Sequence, residues 1–303
     1  MWRFPRGVPG TTTTIANVQP RQQSGVYRFL VGVLRPTMTL MTRRTWRGGE
    51  HLPASGGFIA VANHVSNMDP LTFAHYLYDH GAAPKFLAKS SLFHAPVLGR
   101  LLAAADQIPV HRGTSRAGES LVAAEQAVLA GECVGIFPEG TLTRDPDMWP
   151  MTGRTGAARL ALATRAPVIP VAQWGAHRLL PRYTARFRPF PPKPVTVVAG
   201  PPVDLDDLYG RPLDQDVLRE ATARIMAAVT ALLADIRGEE PPVRPYDMRR
   251  DGDPRAAHDA ASAQRLAARL ERQAALRRRL TAGREHLTAL RARQSARRAG
   301  GRP

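Results

Sequence analysis

Short β-rich runs alternate with helical patterns from residue 57 onward, and this alternation limits the possible folds more than any other feature of the sequence. The predicted strands are residues 58–62, 85–88, 107–111, 134–137, 168–172 and 195–199. Helical patterns lie between several of them, at 70–80, 92–105, 116–130 and 154–165. Because strands joined by helical crossovers run parallel, the sequence predicts an α/β fold with a mostly parallel central sheet flanked by helices.

A histidine and an aspartate follow the first predicted strand, in the stretch VANHVSNMDP at 61–70. In open α/β sheets, functional groups gather beyond the carboxyl ends of the strands. His64 is a candidate general base, because an imidazole with a pKa of about 6.5 exchanges protons near neutrality. Asp69 is the candidate acid that orients it and stabilises its charged form. Alternatively, Asp69 only caps the next helix, with Pro70 at the first helical position.

A second group of candidates follows predicted strand 134–137, in the stretch GIFPEGTLTRDP at 135–146. Glu139 supplies another acid at the same kind of strand end. Gly140 lets the backbone approach a ligand closely, and the amides of Gly140 and Thr141 are candidate donors to a developing oxyanion. Arg144 follows within reach of an anion. Taken alone, the segment also fits an ordinary turn between a strand and a loop.

Two further arginines are candidates for binding an anion. Arg112 follows predicted strand 107–111 in QIPVHRG, and its planar guanidinium suits bidentate contact with a phosphate. Arg154 stands at the start of a helical pattern, where backbone amides also favour anions. The simpler alternative for Arg112 is an ordinary surface charge at a strand end.

Other chemistry at these residues is less well supported by the sequence. Ser66 could form an acyl-serine intermediate activated by His64, but no Gly-X-Ser-X-Gly elbow surrounds it. A metal site built from His64, Asp69 and His75 lacks a cysteine or a cluster of histidines to complete it, so we expect no metal. Cys133 is the only cysteine, which excludes an intrachain disulfide.

Four stretches together resemble the motifs of the lysophosphatidic acid acyltransferase family, glycerolipid acyltransferases that move a fatty acyl chain onto a lysophospholipid. They are NHVSNMD at 63–69, IPVHR at 108–112, FPEGT at 137–141 and PVIPV at 167–171. The resemblance extends over residues 26–237. Two positions depart from the family pattern: His111 replaces a frequent acid, and Leu142 and Thr143 separate Arg144 from Glu-Gly-Thr.

The resemblance implies an O-acyltransferase of phospholipid biosynthesis. It would move an acyl group from an acyl thioester to the free hydroxyl of a lysophospholipid, with 1-acylglycerol-3-phosphate as the expected acceptor and phosphatidic acid as the product. His64 would be the general base, assisted by Asp69, and Glu139 would hold the polar head of the acceptor. The phosphate would be bound by Arg112, together with Arg144 or Arg154.

The implied co-substrate is acyl-CoA or acyl-acyl carrier protein, and no cofactor is expected. An acyl carrier protein is therefore a candidate partner. Two alternatives stay open from the sequence: acylation of a different lysolipid, and a non-catalytic basic protein that binds membranes or nucleic acid.

The net charge of +17 is confined to the two ends of the chain. Residues 1–50 carry 8 Arg against Glu50, residues 241–303 carry 16 Arg against 6 acids, and residues 51–240 carry 18 basic and 18 acidic residues. Basic flanks on a neutral body favour an anionic membrane surface as partner over nucleic acid. Codon bias is an alternative source of the arginine-rich tail, because the chain has 39 Arg and 3 Lys.

The chain divides into four predicted parts. Residues 1–25 are expected to be disordered, 26–50 to form a kinked interfacial helical segment, 51–238 to form the α/β domain, and 239–303 to form a linker and a basic helix. The alternative for 26–50 is a helix packed on the protein's own core. Because this segment is too short and too interrupted to span a bilayer, we expect a peripheral or monotopic protein on the cytoplasmic face of the membrane.

Overall fold

The computed structural model describes residues 24–110, 117–255, 264 and 271. The chain forms two compact units, Met1–Asp247 and Met248–Pro303. The first unit contains the sheet and its covering helices. The described part of the second includes the short helix Met248–Asp251. Most of the predicted basic tail helix lies outside the described residues, as does the predicted disordered segment up to residue 23.

Within the described residues, seven strands form one sheet in the order β1-β7-β6-β2-β5-β3-β4. Their bounds are β1 Thr42–Arg47, β2 Phe58–Ala62, β3 Pro84–Lys89, β4 Ile108–Val110, β5 Cys133–Ile136, β6 Val168–Trp174 and β7 Lys193–Ala199. Every neighbouring pair is parallel except β6 and β7, which are antiparallel. The predicted α/β fold with a mostly parallel sheet is therefore confirmed.

Helices cover both faces of this sheet. They are α1 Gly25–Met41, α2 Asp69–Asp79, α3 Leu98–Ala104, α4 Ala117–Leu129, α5 Gly156–Thr164, α6 Ala176–Leu179 and α7 Gln215–Arg237. Short 3-10 turns occur at Gly49–His51, Ser90–His94 and Asp206–Leu208. The long helix α7 starts where Asp214 caps the amides of Asp216 and Val217, and it ends at Gly238 in the left-handed region.

Strand β2 is buried on both sides, which explains its continuous apolar sequence FIAVA. Ile59 and Val61 pack into the core that contains residues of α4, α5 and α7. Phe58, Ala60 and Ala62 point to the opposite face and pack with residues of α2. This central position places the end of β2, and the residues that follow it, at the middle of one sheet edge.

The segment predicted as an interfacial helix, 26–50, requires a correction. Only its first part is helical, because α1 ends at Met41 and the chain continues directly as strand β1. Strand β1 pairs with β7 at the edge of the sheet. The α/β domain therefore begins before residue 51, and arginines on an exposed edge strand had suggested an interfacial segment instead.

Two other boundaries differ from the prediction. The helix expected over 92–105 is divided into the 3-10 turn Ser90–His94 and α3, with Pro96 between them. The folded unit also extends past residue 238, since the N–H of Thr152 donates to the carbonyl of Tyr246 at 2.9 Å. Within the described residues, no helix is both long and apolar enough to cross a membrane.

Candidate active site

The sheet brings the first two groups of candidate residues to the same edge. Strands β2 and β5 are parallel neighbours, with Val61 opposite Ile136. His64 and Glu139 each follow their paired position by three residues. Because parallel strands end on the same side, both residues emerge side by side beyond the carboxyl ends of the strands.

His64 and Asp69 are in direct contact, as the sequence predicted. Nδ1 of His64 lies 3.0 Å from Oδ2 of Asp69. The same oxygen accepts the backbone N–H groups of Val65 at 2.6 Å and Ser66 at 2.7 Å. These short-range bonds close the turn between β2 and α2 and hold the carboxylate under the ring. Because the carboxylate oxygen accepts, Nδ1 carries the proton and the lone pair is on Nε2.

The carboxylate of Asp69 is buried, whereas the imidazole of His64 is partly exposed to solvent. Burial raises the pKa of Asp69, while its hydrogen bond from His64 acts in the opposite direction. Its Oδ1 is buried and has no hydrogen-bond partner in the described part of the chain. The His64 side chain keeps 15% of its surface exposed. Its ring stacks on Phe137, with ring centroids 4.3 Å apart, and Nε2 bonds to no described residue.

The loop after β5 holds the backbone of His64 at both of its polar groups. The His64 N–H donates to Oε1 of Glu139 at 2.8 Å, and the His64 carbonyl accepts the N–H of Thr143 at 2.7 Å. The hydroxyl of Thr143 in turn donates to the carbonyl of Trp149 at 2.6 Å. The position of the candidate base therefore depends on a loop more than seventy residues later in the chain.

Glu139 lies inside this arrangement, which corrects its predicted contact with the acceptor's polar head. The side chain is buried, and its second oxygen accepts the N–H of Met151 at 3.2 Å. Burial raises the pKa of its carboxyl to about 8, although both backbone donors act to lower it. Its two carboxyl oxygens therefore link the backbones of His64 and Met151.

An amide network joins β2 to β6 directly beside the pair. Asn63 Nδ2 donates to the carbonyl of Gln173, and the N–H of Gln173 donates to Oδ1 of Asn63 at 2.8 Å. Thr72 bridges this pair to α2, because its hydroxyl lies 2.6 Å from Gln173 Oε1 and 3.1 Å from the Asp69 carbonyl. Sequence reasoning missed Gln173 and Thr72. Gln173 is a polar residue in an otherwise apolar strand, and this polarity could have identified it as a candidate functional residue.

Ser66 is engaged elsewhere, an arrangement that does not support the acyl-serine alternative. The residue is fully buried, and its hydroxyl donates to the carbonyl of Leu180 at 2.7 Å. The same oxygen accepts the N–H of Met68 at 3.1 Å. The one hydroxyl proton is therefore directed away from His64.

The Gly140 amide is also engaged, which corrects its predicted role as an oxyanion donor. It donates to the carbonyl of Phe137 at 3.0 Å and closes a turn, with Gly140 at a φ of +70°. A Cβ at Gly140 would lie 2.7 Å from Nε of Arg154, so the absence of a side chain lets this arginine lie against the loop. Thr141 is half-buried at the same turn.

The predicted anion-binding arginines have different environments. Arg154 is exposed, and its own N–H donates to the carbonyl of Pro138 at 2.8 Å, which fixes its backbone to the Glu139 loop. Arg144 is buried, and its guanidinium donates to the Leu142 carbonyl and lies 3.0 Å from the Tyr183 hydroxyl. Arg112 lies outside the described residues. Arg154 is consequently the best placed of the described candidates for a phosphate.

His75 does not approach His64 to form a metal site. It is buried beside Arg44, whose Nη1 lies 3.0 Å from His75 Nε2, and burial lowers its pKa. Asp79 and Trp46 complete this separate cluster. Among the described residues, no group of three or more His, Cys, Asp or Glu side chains is arranged to hold a metal ion.

The region that carries this geometry matches the family described as Acyltransferase over residues 43–174. Residues 43–174, less than half of the chain, are therefore similar to this family, and we refer to them as the acyltransferase domain. This confirms the resemblance that the four motifs indicated. The match begins within β1 and ends with β6, so it includes His64, Asp69 and Glu139.

Several relatives of the acyltransferase domain are known as 1-acyl-sn-glycerol-3-phosphate acyltransferases. The protein of that name from Borreliella burgdorferi is 32% identical over 131 residues, which are 43% of this chain and 50% of the relative. The one from Limnanthes douglasii is 30% identical over 163 residues, 53% of this chain and 54% of the relative. The one from Bacillus subtilis is 28% identical over 151 residues, 50% of this chain and 72% of the relative. The chain spans about half of the length of the first two.

A solved structure shares the fold. The 1-acyl-sn-glycerophosphate acyltransferase PlsC from Thermotoga maritima superimposes with a TM-score of 0.54 at 22% identity. The likeness covers 71% of this chain and 83% of that protein. At this level of identity, the likeness establishes a shared fold.

Proposed function

We propose that the acyltransferase domain moves a fatty acyl group from an acyl thioester to the free hydroxyl of a lysophospholipid, with 1-acylglycerol-3-phosphate as acceptor and phosphatidic acid as product. The observation that carries the proposal is the 3.0 Å contact between His64 Nδ1 and Asp69 Oδ2, which leaves Nε2 for a substrate proton. The names of the relatives from Borreliella burgdorferi and Bacillus subtilis support the choice of acceptor.

The proposed reaction uses His64 twice. Its Nε2 takes the hydroxyl proton of the acceptor as the hydroxyl oxygen bonds to the thioester carbonyl carbon. The buried carboxylate of Asp69 stabilises the resulting imidazolium. The carbon–sulfur bond of the tetrahedral intermediate then breaks, the carbonyl re-forms, and the imidazolium gives its proton to the leaving thiolate. The products are the diacyl lipid and the free thiol, so the histidine ends in its starting form.

Binding of the acceptor's phosphate is assigned to Arg154. Its exposed guanidinium lies against Gly140, next to the loop that braces His64. A guanidinium can contact two phosphate oxygens at once, which orients the acceptor as well as binding it. Because the Gly140 amide is occupied, the amide of Thr141 is the remaining candidate donor to the oxyanion; it donates to no backbone or side-chain acceptor in the described part of the chain.

The proposal includes attachment to an anionic membrane surface on the cytoplasmic side. Helix α1 supports it, because several of its large apolar side chains face solvent. Phe29 is 68% exposed and Leu40 is 63% exposed, and Val26, Val33 and Leu34 are also exposed. Arg28, at the exposed surface of the same helix, would meet anionic headgroups.

A panel of substrates tests the proposed reaction. Purified full-length protein is incubated with labelled acyl-CoA or acyl-acyl carrier protein and with a series of lysolipids that differ in head group, together with glycerol 3-phosphate. We expect labelled phosphatidic acid from 1-acylglycerol-3-phosphate with at least one donor. Preferential acylation of a lysolipid without a terminal phosphate would overturn the choice of acceptor. No product from any pair would overturn the proposed reaction.

A further inference from the structure

Residues 51–240 have no net charge as a whole, but they include a strongly basic region. Between Asp147 and Asp204 the sequence contains no acidic residue, whereas it contains seven arginines and Lys193. Four of these arginines fall within the connection between β6 and β7, at Arg178, Arg182, Arg186 and Arg188. We call residues 178–190 the basic loop.

Three arginines of the basic loop are exposed. Arg178, Arg186 and Arg188 face solvent, and their guanidinium groups form no hydrogen bond or ion pair within the described part of the chain. Several other exposed arginines of the unit pair with a carboxylate, as Arg219 does with Asp216 at 2.7 Å. These three therefore project uncompensated positive charge from one short segment.

Exposed aromatic side chains lie among these charges. Phe187 is 48% exposed and Phe190 is 60% exposed, although phenylalanine has no hydrogen-bonding group that would favour contact with water. Solvation of the arginines alone does not explain why two phenylalanine side chains are exposed in this loop. Aromatic rings beside cations are instead typical of segments that lie at a lipid–water interface.

The basic loop is fixed rather than loosely attached. The N–H of Arg188 donates to the carbonyl of Leu179 at 2.8 Å. Arg182 donates to the carbonyls of Thr143 at 3.1 Å and Asp145 at 2.7 Å, which ties the loop to the one that braces His64. Little conformational entropy would be lost when such a preformed surface binds a partner.

The start of the basic loop adjoins both the candidate active site and helix α1. The carbonyl of Leu180 accepts the hydroxyl of Ser66, two residues after His64. Leu179 and Leu180 also pack with Met38 and Met41 from the C-terminal end of α1. The exposed apolar face of α1 and the basic loop are thus joined through one apolar cluster.

The local field of this region is positive. Burial lowers the pKa of His177 to about 4, and the nearby Arg178, Arg182 and Arg237 act in the same direction. A surface with this sign attracts phosphate-bearing partners.

We propose that the basic loop binds anionic lipid headgroups at the membrane surface, with Arg178, Arg186 and Arg188 contacting phosphates and Phe187 and Phe190 entering the interfacial layer. The inference extends the proposed function, because it would set the active site against the surface that holds the acceptor. Exposed phenylalanines and the adjoining apolar face of α1 favour a lipid surface over nucleic acid or an acidic protein. Charge alone would not distinguish these partners.

Vesicle binding by full-length protein tests the inference independently of activity. The variant Arg186→Gln/Arg188→Gln is compared with Arg159→Gln/Arg165→Gln, which removes the same charge from α5 and its C-terminal end on another face. Each arginine near an anionic membrane surface strengthens binding to that surface. We therefore expect about a 30-fold loss of affinity for phosphatidylglycerol-containing vesicles in the first variant, which lacks two arginines of the basic loop. We expect little change in the second variant. We also expect Phe187→Ser/Phe190→Ser to weaken binding to those vesicles.

Turnover separates this inference from the proposed reaction. The loop variants should acylate a short-chain, monomeric lysophosphatidate at the wild-type rate but should be slow with acceptor embedded in vesicles. If the protein has no acyltransferase activity, the vesicle arm still decides the inference. Equal vesicle binding by the two arginine variants would overturn it. The inference would also be overturned if the loop variant bound vesicles as wild type does but lost binding to a DNA oligonucleotide or to an acyl carrier protein.

Discussion

Nδ1 of His64 lies 3.0 Å from Oδ2 of Asp69, a carboxylate that is fully buried at the first turn of α2. The carboxylate therefore has two roles that the sequence had presented as alternatives. It closes the turn through two backbone N–H groups, and it orients the imidazole. Because it is shielded from water, its charge acts on the ring with little screening.

Replacing Asp69 by Asn tests the electrostatic part of this contact. The amide oxygen of Asn can still accept the N–H groups of Val65 and Ser66, so the turn should persist. The negative charge that stabilises the imidazolium is lost, and we expect kcat to fall on the order of 10²-fold or more with a small change in KM. Circular dichroism and thermal unfolding serve as controls for folding. A kcat within a few-fold of wild type would show that the charge is not used.

Ser66→Ala tests whether the buried hydroxyl has a chemical role. Because the hydroxyl bonds to Leu180 and Met68, its removal leaves two backbone groups without a partner, and we expect a loss of about 1–3 kcal/mol in the free energy of unfolding. The transfer rate of the folded variant should stay near that of wild type. Intact-mass measurement during turnover should detect no acyl-enzyme. An acyl adduct in wild type that disappears in Ser66→Ala would restore the acyl-serine mechanism.

The buried carboxyl of Glu139 predicts a pH-dependent stability. Its pKa is raised to about 8 in the folded protein from an ordinary value near 4.5, so the folded state holds the proton more tightly than the unfolded state. The stabilisation from this group is complete below the unfolded pKa and is lost as the pH rises through the folded pKa. We therefore expect the free energy of unfolding of wild type to decline between about pH 5 and pH 8 relative to Glu139→Gln.

Denaturant titrations of both proteins across this pH range provide the measurement. The difference between them isolates Glu139 from the other titrating groups, because those groups are common to both chains. A difference that stays constant with pH, or one that grows in favour of wild type as pH rises, would contradict the assignment of a raised pKa.

Arg154→Ala tests the proposed phosphate contact. Loss of a charge-assisted hydrogen bond should raise KM for 1-acylglycerol-3-phosphate by about 10- to 100-fold, with a smaller effect on KM for the acyl donor. Arg165→Ala is the matched control, since Arg165 is also exposed but lies at the opposite end of α5. Equal KM values for the acceptor in the two variants would remove Arg154 from the site.

The position of the site could be predicted because it follows from strand direction. Parallel strands end at one edge, so residues after β2 and β5 had to meet once the two runs were identified as strands. The contact between His64 and Asp69 is local, and the turn that forms it is closed by residues within five positions.

The roles of Glu139 and Arg144 could not be predicted, since their partners are distant in sequence. Glu139 reaches Met151 and the backbone of His64, and Arg144 reaches Tyr183. Whether a charged side chain after a strand faces substrate or the interior depends on such contacts, which no periodicity records.

Strand β1 was missed for a related reason. Its sequence, TRRTWR, has mostly exposed side chains because the strand lies at the sheet edge and is paired on one side with β7. Charged edge strands avoid unwanted pairing, but their polarity removes the apolar signal that identifies a strand. The antiparallel direction of β7 relative to β6 was also not predicted, because the connection between them shows no clear helical pattern in the sequence.

The proposed catalytic role of His64 is tested most directly by the rate at which wild type and His64→Ala transfer a labelled acyl group to 1-acylglycerol-3-phosphate, measured with the donor that supports wild-type turnover. We expect a loss on the order of 10³-fold in His64→Ala, with unchanged thermal unfolding and vesicle binding, because the proton acceptor is gone while the fold remains. Equal transfer by the two proteins would contradict it.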